Sequence, residues 1–184
     1  MVDISKIEAE LKNVPQDSII LIEASADNVS QVALEAIRVL SKKNDSGIII
    51  SASRPYVNLM TNYKRKNINI DKLFVLDLIS KNHNAHTKSE NVMFMQNASS
   101  LTDISLSVSQ YLKKLNGNKF LFIDSINTML IHNEPIVFAR FLHSVLTRMR
   151  ISGVGGLLIS VTDRTNREVR AEIAQLCDKV IKIE

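Results

Sequence analysis

Short apolar segments alternate along the chain with segments whose apolar residues recur every three or four positions. Residues 18–23 (SIILIE) form the first short apolar run, which is typical of a buried strand. From Val29 the apolar positions follow one helical face; Asn28 is the predicted N-cap, and Gln31 stands three residues later, as in a capping box. The first strand is therefore expected to lead directly into a helix.

The same alternation continues to the C-terminus. Further strands are predicted at residues 47–51, 73–80, 92–95, 120–124, 156–161 and 180–183. Helices are predicted at residues 1–14, 29–40, 55–66, 101–115 (ended by Gly117), 136–150 and 167–176. Apolar strands that alternate with amphipathic helices predict a three-layer α/β fold, with a mainly parallel central sheet and helices on both faces. In such a fold the C-terminal ends of the strands share one edge, where ligands bind.

The composition restricts the number of domains, the redox compartment and the membrane association that the protein can have. A chain of 184 residues with 45% hydrophobic residues can form one domain, 1–184, around a sizeable core. The single cysteine, Cys177, excludes an internal disulfide and fits a reducing compartment. No apolar run approaches the roughly 20 residues of a membrane span. The sequence therefore predicts a cytoplasmic protein without a membrane partner.

The net charge of +4 is compatible with an anionic partner. However, the chain has no tryptophan and only 5% aromatic residues, so binding of single-stranded nucleic acid by base stacking has little support. His83 and His86 have a metal-ligand spacing but no evident third ligand. Neither a metal nor a cofactor is predicted.

Three segments resemble a known family. Residues 120–130 (FLFIDSINTML) resemble the Walker B strand of RecA-like ATPases, in particular of the KaiC group; residues 152–163 resemble the next core strand and residues 176–184 the closing strand. The resemblance implies a RecA-like P-loop NTPase plan. It also implies that Asp124, followed by Ser125, matches the aspartate that helps to hold Mg²⁺ on ATP. From the residues alone, Asp124 could instead cap a turn or hydrogen-bond the adjacent backbone.

The phosphate-binding loop of that family is not recognisable. Family members carry G-x-x-x-x-G-K-[ST] after the first strand, where amides and lysine hold the phosphates. Here residues 23–30 contain neither glycine nor lysine, and carboxylates stand where polyphosphate would lie. The positions that replace the loop include Glu23, Ser25, Asp27, Asn28 and Ser30. A polyphosphate is expected to be repelled there.

A second catalytic position also departs from the family. KaiC-like enzymes end the second strand with a pair of glutamates, whereas this chain has Ser53 and Arg54 there. Serine is a poor general base at neutral pH, and arginine cannot act as one. Without phosphates or their metal to hold, the substitution Asp124→Asn is expected to be tolerated.

Three arginines follow the strand that ends at Val161: Arg164, Arg167 and Arg170. They could contact a phosphate, a nucleic-acid backbone or an acidic partner surface. Alternatively, they pair with nearby acidic residues on a solvated helix face; the candidates are Asp163, Glu168 and Glu172.

The leading hypothesis is a non-catalytic RecA/KaiC-like domain that acts as a regulatory or scaffolding module, with itself or a catalytic relative as partner. Two alternatives remain open: a regulatory ATPase with a rebuilt nucleotide site, and a basic nucleic-acid-binding module. Self-association is predicted through the flank of helix 136–150 that carries Ile136, Ala139 and Leu146, unless residues 1–14 cover that flank.

Overall fold

The computed structural model describes residues 4–83, 89–162 and 167–183. The helices are α1 (Ile4–Lys12), α2 (Val29–Lys43), α3 (Tyr56–Arg65), α4 (Leu101–Lys114), α5 (Ile126–Ile131), α6 (Pro135–Ile151) and α7 (Arg167–Gln175). The strands are β1 (Ile19–Ala24), β2 (Ser46–Ser51), β3 (Leu73–Asp77), β4 (Val92–Phe94), β5 (Lys119–Ile123), β6 (Gly155–Val161) and β7 (Lys179–Ile183). Short 3₁₀ helices occupy Ile70–Lys72 and Ser80–His83.

The strands form one parallel sheet in the order β4-β3-β2-β5-β6-β1-β7. The central strands β1 and β2 are buried along their whole length, as their apolar runs predict. Consecutive β1 and β2 are separated by β5 and β6, so the chain crosses over the sheet between them. The predicted mainly parallel α/β sheet is confirmed.

Helices cover both faces of the sheet. Apolar residues of α4, α5, α6 and α7 pack in one hydrophobic cluster against one set of strand side chains. Those of α1, α2 and α3 pack in a second cluster against the alternate strand side chains. Successive side chains of a strand point to opposite faces, so the strands β1 to β6 contribute to both clusters, whereas the edge strand β7 contributes only to the second. The three-layer arrangement that the sequence predicts is thereby confirmed.

The predicted capping box at the start of α2 is wrong. Asn28 precedes the helix, but its backbone is already helical (φ −101°, ψ −21°) and its side chain makes no capping hydrogen bond. The carbonyl of Ser25 instead accepts hydrogen bonds from the amides of Asn28 and Val29. A tight turn of the backbone therefore takes over the role that the sequence assigns to a side chain.

The N-terminal helix does not cover the flank of α6. Ile7 and Leu11 of α1 are each 1% exposed and belong to the cluster on the other face of the sheet. On α6, Leu146 is buried against the sheet, whereas Ile136 is 62% exposed. The interpretation that α1 packs on this flank is wrong, and so is the placement of Leu146 on an exposed flank.

One strand boundary and one additional helix also differ from the prediction. The segment predicted as a strand at residues 73–80 leaves the sheet at Asp77, because the side chain of Asp77 accepts hydrogen bonds from the amides of Ile79 and Ser80 and closes a turn. Helix α5 is not among the predicted elements. It starts at Ser125, whose Oγ accepts a hydrogen bond from the amide of Thr128 over 3.2 Å.

Candidate functional site

The candidate site lies at the C-terminal edge of the parallel sheet. Strands β2, β5, β6 and β1 are neighbours there. Glu23 lies near the end of β1, Asp124 directly follows β5, and Ser53 and Arg54 follow β2. Positions that are far apart in the sequence thus meet at one edge, as expected for a parallel sheet.

The turn between β1 and α2 consists of residues 25–28. The amides of Asn28 and Val29 donate to the carbonyl oxygen of Ser25 over 3.0 and 2.9 Å. Asp27 and Ser30 are exposed. Two of the amides at this helix start are therefore engaged within the turn itself.

Glu23 forms an ion pair with Arg170 of α7. Its side chain is only 2% exposed, and its two oxygens accept hydrogen bonds from Nε and Nη2 of Arg170, the latter over 2.5 Å. The arginine side chain is 40% exposed, so it covers the carboxylate from the solvent side. This bidentate geometry holds α7 against the end of β1.

The three arginines that follow β6 are not equivalent in the structure. Arg170 contacts Glu23, which is not one of the acidic residues proposed for it from the sequence. Arg167 is exposed at the first position of α7. Arg164 and its candidate partner Asp163 lie outside the described residues.

Asp124 accepts hydrogen bonds from the turn that follows β2. Its Oδ1 accepts from the amide of Ala52 over 2.8 Å, and its Oδ2 accepts from the hydroxyl and the amide of Ser53 over 2.6 and 3.2 Å. The hydroxyl of Ser51 lies 2.9 Å from Oδ2 and shares its single proton between this oxygen and the carbonyl oxygen of Arg54, at 2.7 Å. Asp124 is 7% exposed. Both oxygens are therefore occupied by neutral donors of the protein.

Burial disfavours the charged form of the Asp124 carboxyl. Burial raises the pKa of this carboxyl, while the hydrogen bonds from Ser53, Ala52 and Ser51 oppose that shift. The neighbouring Tyr63 is 3% exposed, and burial together with the charge of Asp124 raises the pKa of its hydroxyl. The tyrosine is therefore a proton donor at neutral pH.

Arg54 bridges two elements at the same edge. Its Nη2 donates to Oγ of Ser30 in the first turn of α2, over 2.5 Å. Beside this contact a cavity of about 290 Å³ opens between α2 and α3, and Arg54, Tyr63 and Asp124 contribute to its wall. The second-strand position thus carries a cation at the mouth of a cavity.

Asp77, at the end of β3, is a residue that the sequence reasoning missed. It is fully buried and accepts hydrogen bonds from the amides of Tyr56, Ile79 and Ser80 and from the hydroxyl of Ser80. The available signal was an aspartate that follows an apolar strand with a serine three residues later. Asp77 joins the start of α3 to the turn after β3.

The described residues show neither a metal site nor a membrane-spanning helix. They contain no group of three or more His, Cys, Asp or Glu side chains arranged to hold a metal ion. They also contain no helix whose length and apolar character suffice to cross a membrane. Of the two histidines with metal-like spacing, His86 lies outside the described residues, and the side chain of His83 is not described.

Two solved structures have a fold similar to that of this chain. The chain is similar to the KaiC-like protein PH0186 from the archaeon Pyrococcus horikoshii OT3, with a TM-score of 0.62 and 14% identity over 91% of this chain and 71% of that one. It is also similar to the uncharacterized protein PH0321 from Pyrococcus horikoshii, whose structure contains an unknown peptide, with a TM-score of 0.72 and 15% identity over 97% and 82% of the two chains. The expected RecA-like plan is confirmed.

No curated protein matches the chain by sequence. A family match nevertheless spans most of its length, from the end of α1 through β7. It includes the strand that ends before Asp124 and the closing strand, two of the segments that carry the resemblance seen in the sequence. Because residues 12–184 match the family described as "ATPase: KaiC", the chain belongs to the KaiC ATPase family.

Proposed function

We propose that this KaiC-family domain does not hydrolyse ATP and acts as a regulatory or scaffolding module through protein–protein contacts. The observation that carries the proposal is the buried ion pair between Glu23 and Arg170. It lies at the end of β1, the strand after which the family places its phosphate-binding loop. The chain thus carries a buried anion just before the loop position and pairs it with its own Arg170, where the family leads into a phosphate-binding loop.

The start of α2 supports the same proposal. A polyphosphate at a helix N-terminus needs free amides and a cation that offsets its charge. The amides of Asn28 and Val29 are engaged with Ser25, and residues 23–30 contain no lysine. Asp27 adds a further negative charge at this helix end. Within this turn a triphosphate would therefore meet carboxylates and no lysine, and the cation of Arg54 reaches only Ser30, from the turn after β2.

The metal and base positions point in the same direction. Both oxygens of Asp124 accept hydrogen bonds from the protein, and three of the four go to Oδ2, so only Oδ1 keeps a lone pair for the water shell of a Mg²⁺ ion. Ser53 and Arg54 stand where the resemblance implies a catalytic glutamate pair, and neither is a general base at neutral pH. The absence of both a recognisable phosphate-binding loop and a general base favours a non-catalytic domain over a modified ATPase.

A contact surface is available on α6 and α7. Ile136 and Val137 of α6 are 62% and 49% exposed, and Ile136 lines a groove of about 470 Å³ between the two helices. Exposed apolar side chains that share one surface are typical of protein interfaces. The structurally similar PH0321 was crystallised with a peptide, in accord with a binding role for this fold. We propose a second copy of the chain, or a catalytic KaiC relative, as the partner, in the cytoplasm.

Calorimetry with MgATP tests the first half of the proposal. We expect no saturable, Mg²⁺-dependent binding in the low-micromolar range and no release of phosphate, with an active KaiC-family ATPase as positive control. Tight MgATP binding would instead support the regulatory ATPase with a rebuilt site. Binding of DNA or RNA that falls steeply with salt would support the nucleic-acid-binding alternative.

Light scattering after size exclusion tests the second half. We expect a mass above the 20.7 kDa of one chain, and we expect Ile136→Glu to return it to that value. The matched control is Leu106→Glu on α4, because Leu106 is 57% exposed but does not line the groove. A monomer at all concentrations rejects self-association. If the protein is a monomer and also fails to capture a catalytic KaiC relative, the scaffolding role is rejected. Capture that Ile136→Glu does not weaken would reject this groove as the contact surface.

A further inference from the structure

The cavity between α2 and α3 lies at the C-terminal edge of the sheet. Its wall includes residues of α2, α3, the turn after β2, and the ends of β5 and β6. None of residues 23–28 lines it. Val29 and Ser30 do line it, so the cavity adjoins the turn where the resemblance places the phosphates. A ligand there other than a nucleotide goes beyond the proposed function, which does not require one.

The body of the cavity is apolar and small. Phe122 and Leu59, which are 1% and 4% exposed, form part of its wall together with Ala33 of α2. A volume of about 290 Å³ lies at the lower end of the range of ligand pockets, which is about 300–1,000 Å³. The cavity thus suits a molecule of the size of one substituted ring and is too small for a nucleoside triphosphate.

Two polar groups of the wall have unused hydrogen-bonding capacity. Arg54 forms no ion pair with a described residue, and only one of its five N–H donors is used, towards Ser30. The hydroxyl of Tyr63 has no hydrogen-bond partner among the described residues although the side chain is 3% exposed. Among the described residues no fully buried side-chain N or O atom lacks a partner, so this hydroxyl is open to the cavity, where a ligand atom can accept its hydrogen bond.

We propose that this cavity binds a small monocarboxylate with an apolar body, whose carboxylate pairs with Arg54 and accepts a hydrogen bond from Tyr63. An arginine fork matches the geometry of a carboxylate. The donors of residues 51–53 stabilise the carboxylate of Asp124, so the charge of Arg54 remains to pair with one negative charge, and Asp124 in the same wall disfavours a ligand with two. The apolar part of the ligand contacts Phe122 and Leu59.

Titration followed by amide chemical shifts tests the site, with benzoate as probe and benzamide as its neutral isostere. We expect saturable shifts for benzoate that are concentrated at residues 29–34 and 53–63, and binding of benzamide at least about tenfold weaker, because one charge-assisted hydrogen bond accounts for a factor of this size. Phenylacetate, one methylene longer, serves as a second probe. Shifts that are absent for both acids, or that are spread over surface lysines, overturn the proposal.

Variants identify the groups that bind. Arg54→Gln keeps a donor for Ser30 but removes the charge, and we expect it to weaken benzoate binding about tenfold or more. Tyr63→Phe keeps the ring and is expected to weaken it less, by several-fold. The matched control is Arg65→Gln at the exposed end of α3, which does not line the cavity. Unchanged affinity in Arg54→Gln, or an equal loss in Arg65→Gln, overturns the proposal, and thermal midpoints confirm that each variant is folded.

Discussion

Glu23 and Asp124 are two buried carboxylates at the same edge of the sheet, but the protein satisfies them in different ways. Glu23 is 2% exposed and meets a full positive charge, the guanidinium of Arg170. Asp124 is 7% exposed and meets only neutral donors, two amides and two hydroxyls from residues 51–53. The edge thus combines an ion pair with a charge that is stabilised by dipoles alone.

The difference shows how the two carboxylates act on the structure. The ion pair joins elements at opposite ends of the chain and depends on an arginine that is partly in solvent. The hydrogen bonds of Asp124 instead shape a neighbouring turn and place Ser53 and Arg54. Removing a cation from a buried anion is more damaging than removing one of several neutral donors, because the uncompensated charge stays buried.

The largest effect is expected for Arg170→Met, which keeps much of the side-chain packing and removes the charge. The free energy of unfolding should fall by about 2–3 kcal/mol, below the value of about 3–5 kcal/mol for a fully buried pair, because Arg170 is partly exposed. Urea unfolding at pH 7 measures it. The control Arg167→Met, at an exposed position of the same helix, should change it by less than about 0.5 kcal/mol.

A double variant sharpens that result. In Glu23→Gln/Arg170→Met the buried charge is gone, so most of the stability lost in Arg170→Met should return. If the double variant is as unstable as the sum of the single variants, the two side chains do not act as a pair. If Arg170→Met is as stable as the unchanged protein, the comparison with Asp124 fails.

A smaller loss is expected for Asp124→Asn. The amide keeps one acceptor, but its NH₂ group faces a donor of the turn, so the free energy of unfolding should fall by about 1–2 kcal/mol. This replaces the expectation from the sequence that the substitution is tolerated. Asp17→Asn, at an exposed loop position, is the control in the same urea experiment. Equal stability of the two variants would show that the hydrogen bonds of Asp124 contribute nothing.

The pH dependence of stability gives a further test of the environment of Asp124. Because burial raises the pKa of Asp124 in the folded state, its contribution to stability is fully present below the unfolded value of about 3.9 and is lost as pH rises through the folded pKa. Asparagine does not titrate. The stability difference between the unchanged protein and Asp124→Asn should therefore become smaller from about pH 4 to pH 8. A difference that grows with pH would mean that the four donors outweigh burial.

The smallest effect is expected at the exposed contact between Arg54 and Ser30. Ser30→Ala removes one hydrogen bond whose partners remain accessible to water, so the free energy of unfolding should change by less than about 0.5 kcal/mol. Thermal unfolding is sufficient to test this. If the free energy of unfolding fell as much as in Asp124→Asn, the hydrogen bond between Arg54 and Ser30 would contribute as much to stability as the hydrogen bonds of Asp124.

The fold class could be predicted because its signals are local. Apolar runs such as residues 18–23 and 120–124, and the helical spacing that starts at Val29, depend only on neighbouring residues, and they became β1, β5 and α2. Helix α5 escaped prediction because its six residues continue an apolar strand without a change of period. The turn at Asp77 escaped for a similar reason, since the apolar pattern runs on to residue 80.

The sequence by itself determined the order of strands and helices and the residue types at the sheet edge, including the absence of glycine and lysine from residues 23–30. Only the tertiary structure decided which residues pair with the carboxylates at this edge. Arg170 lies 147 positions from Glu23, and Ala52 lies 72 positions from Asp124. It also decided that α1 packs on the face opposite α6. The physical reason is that periodicity specifies which side of a segment is buried, whereas the crossovers of the chain specify what it is buried against.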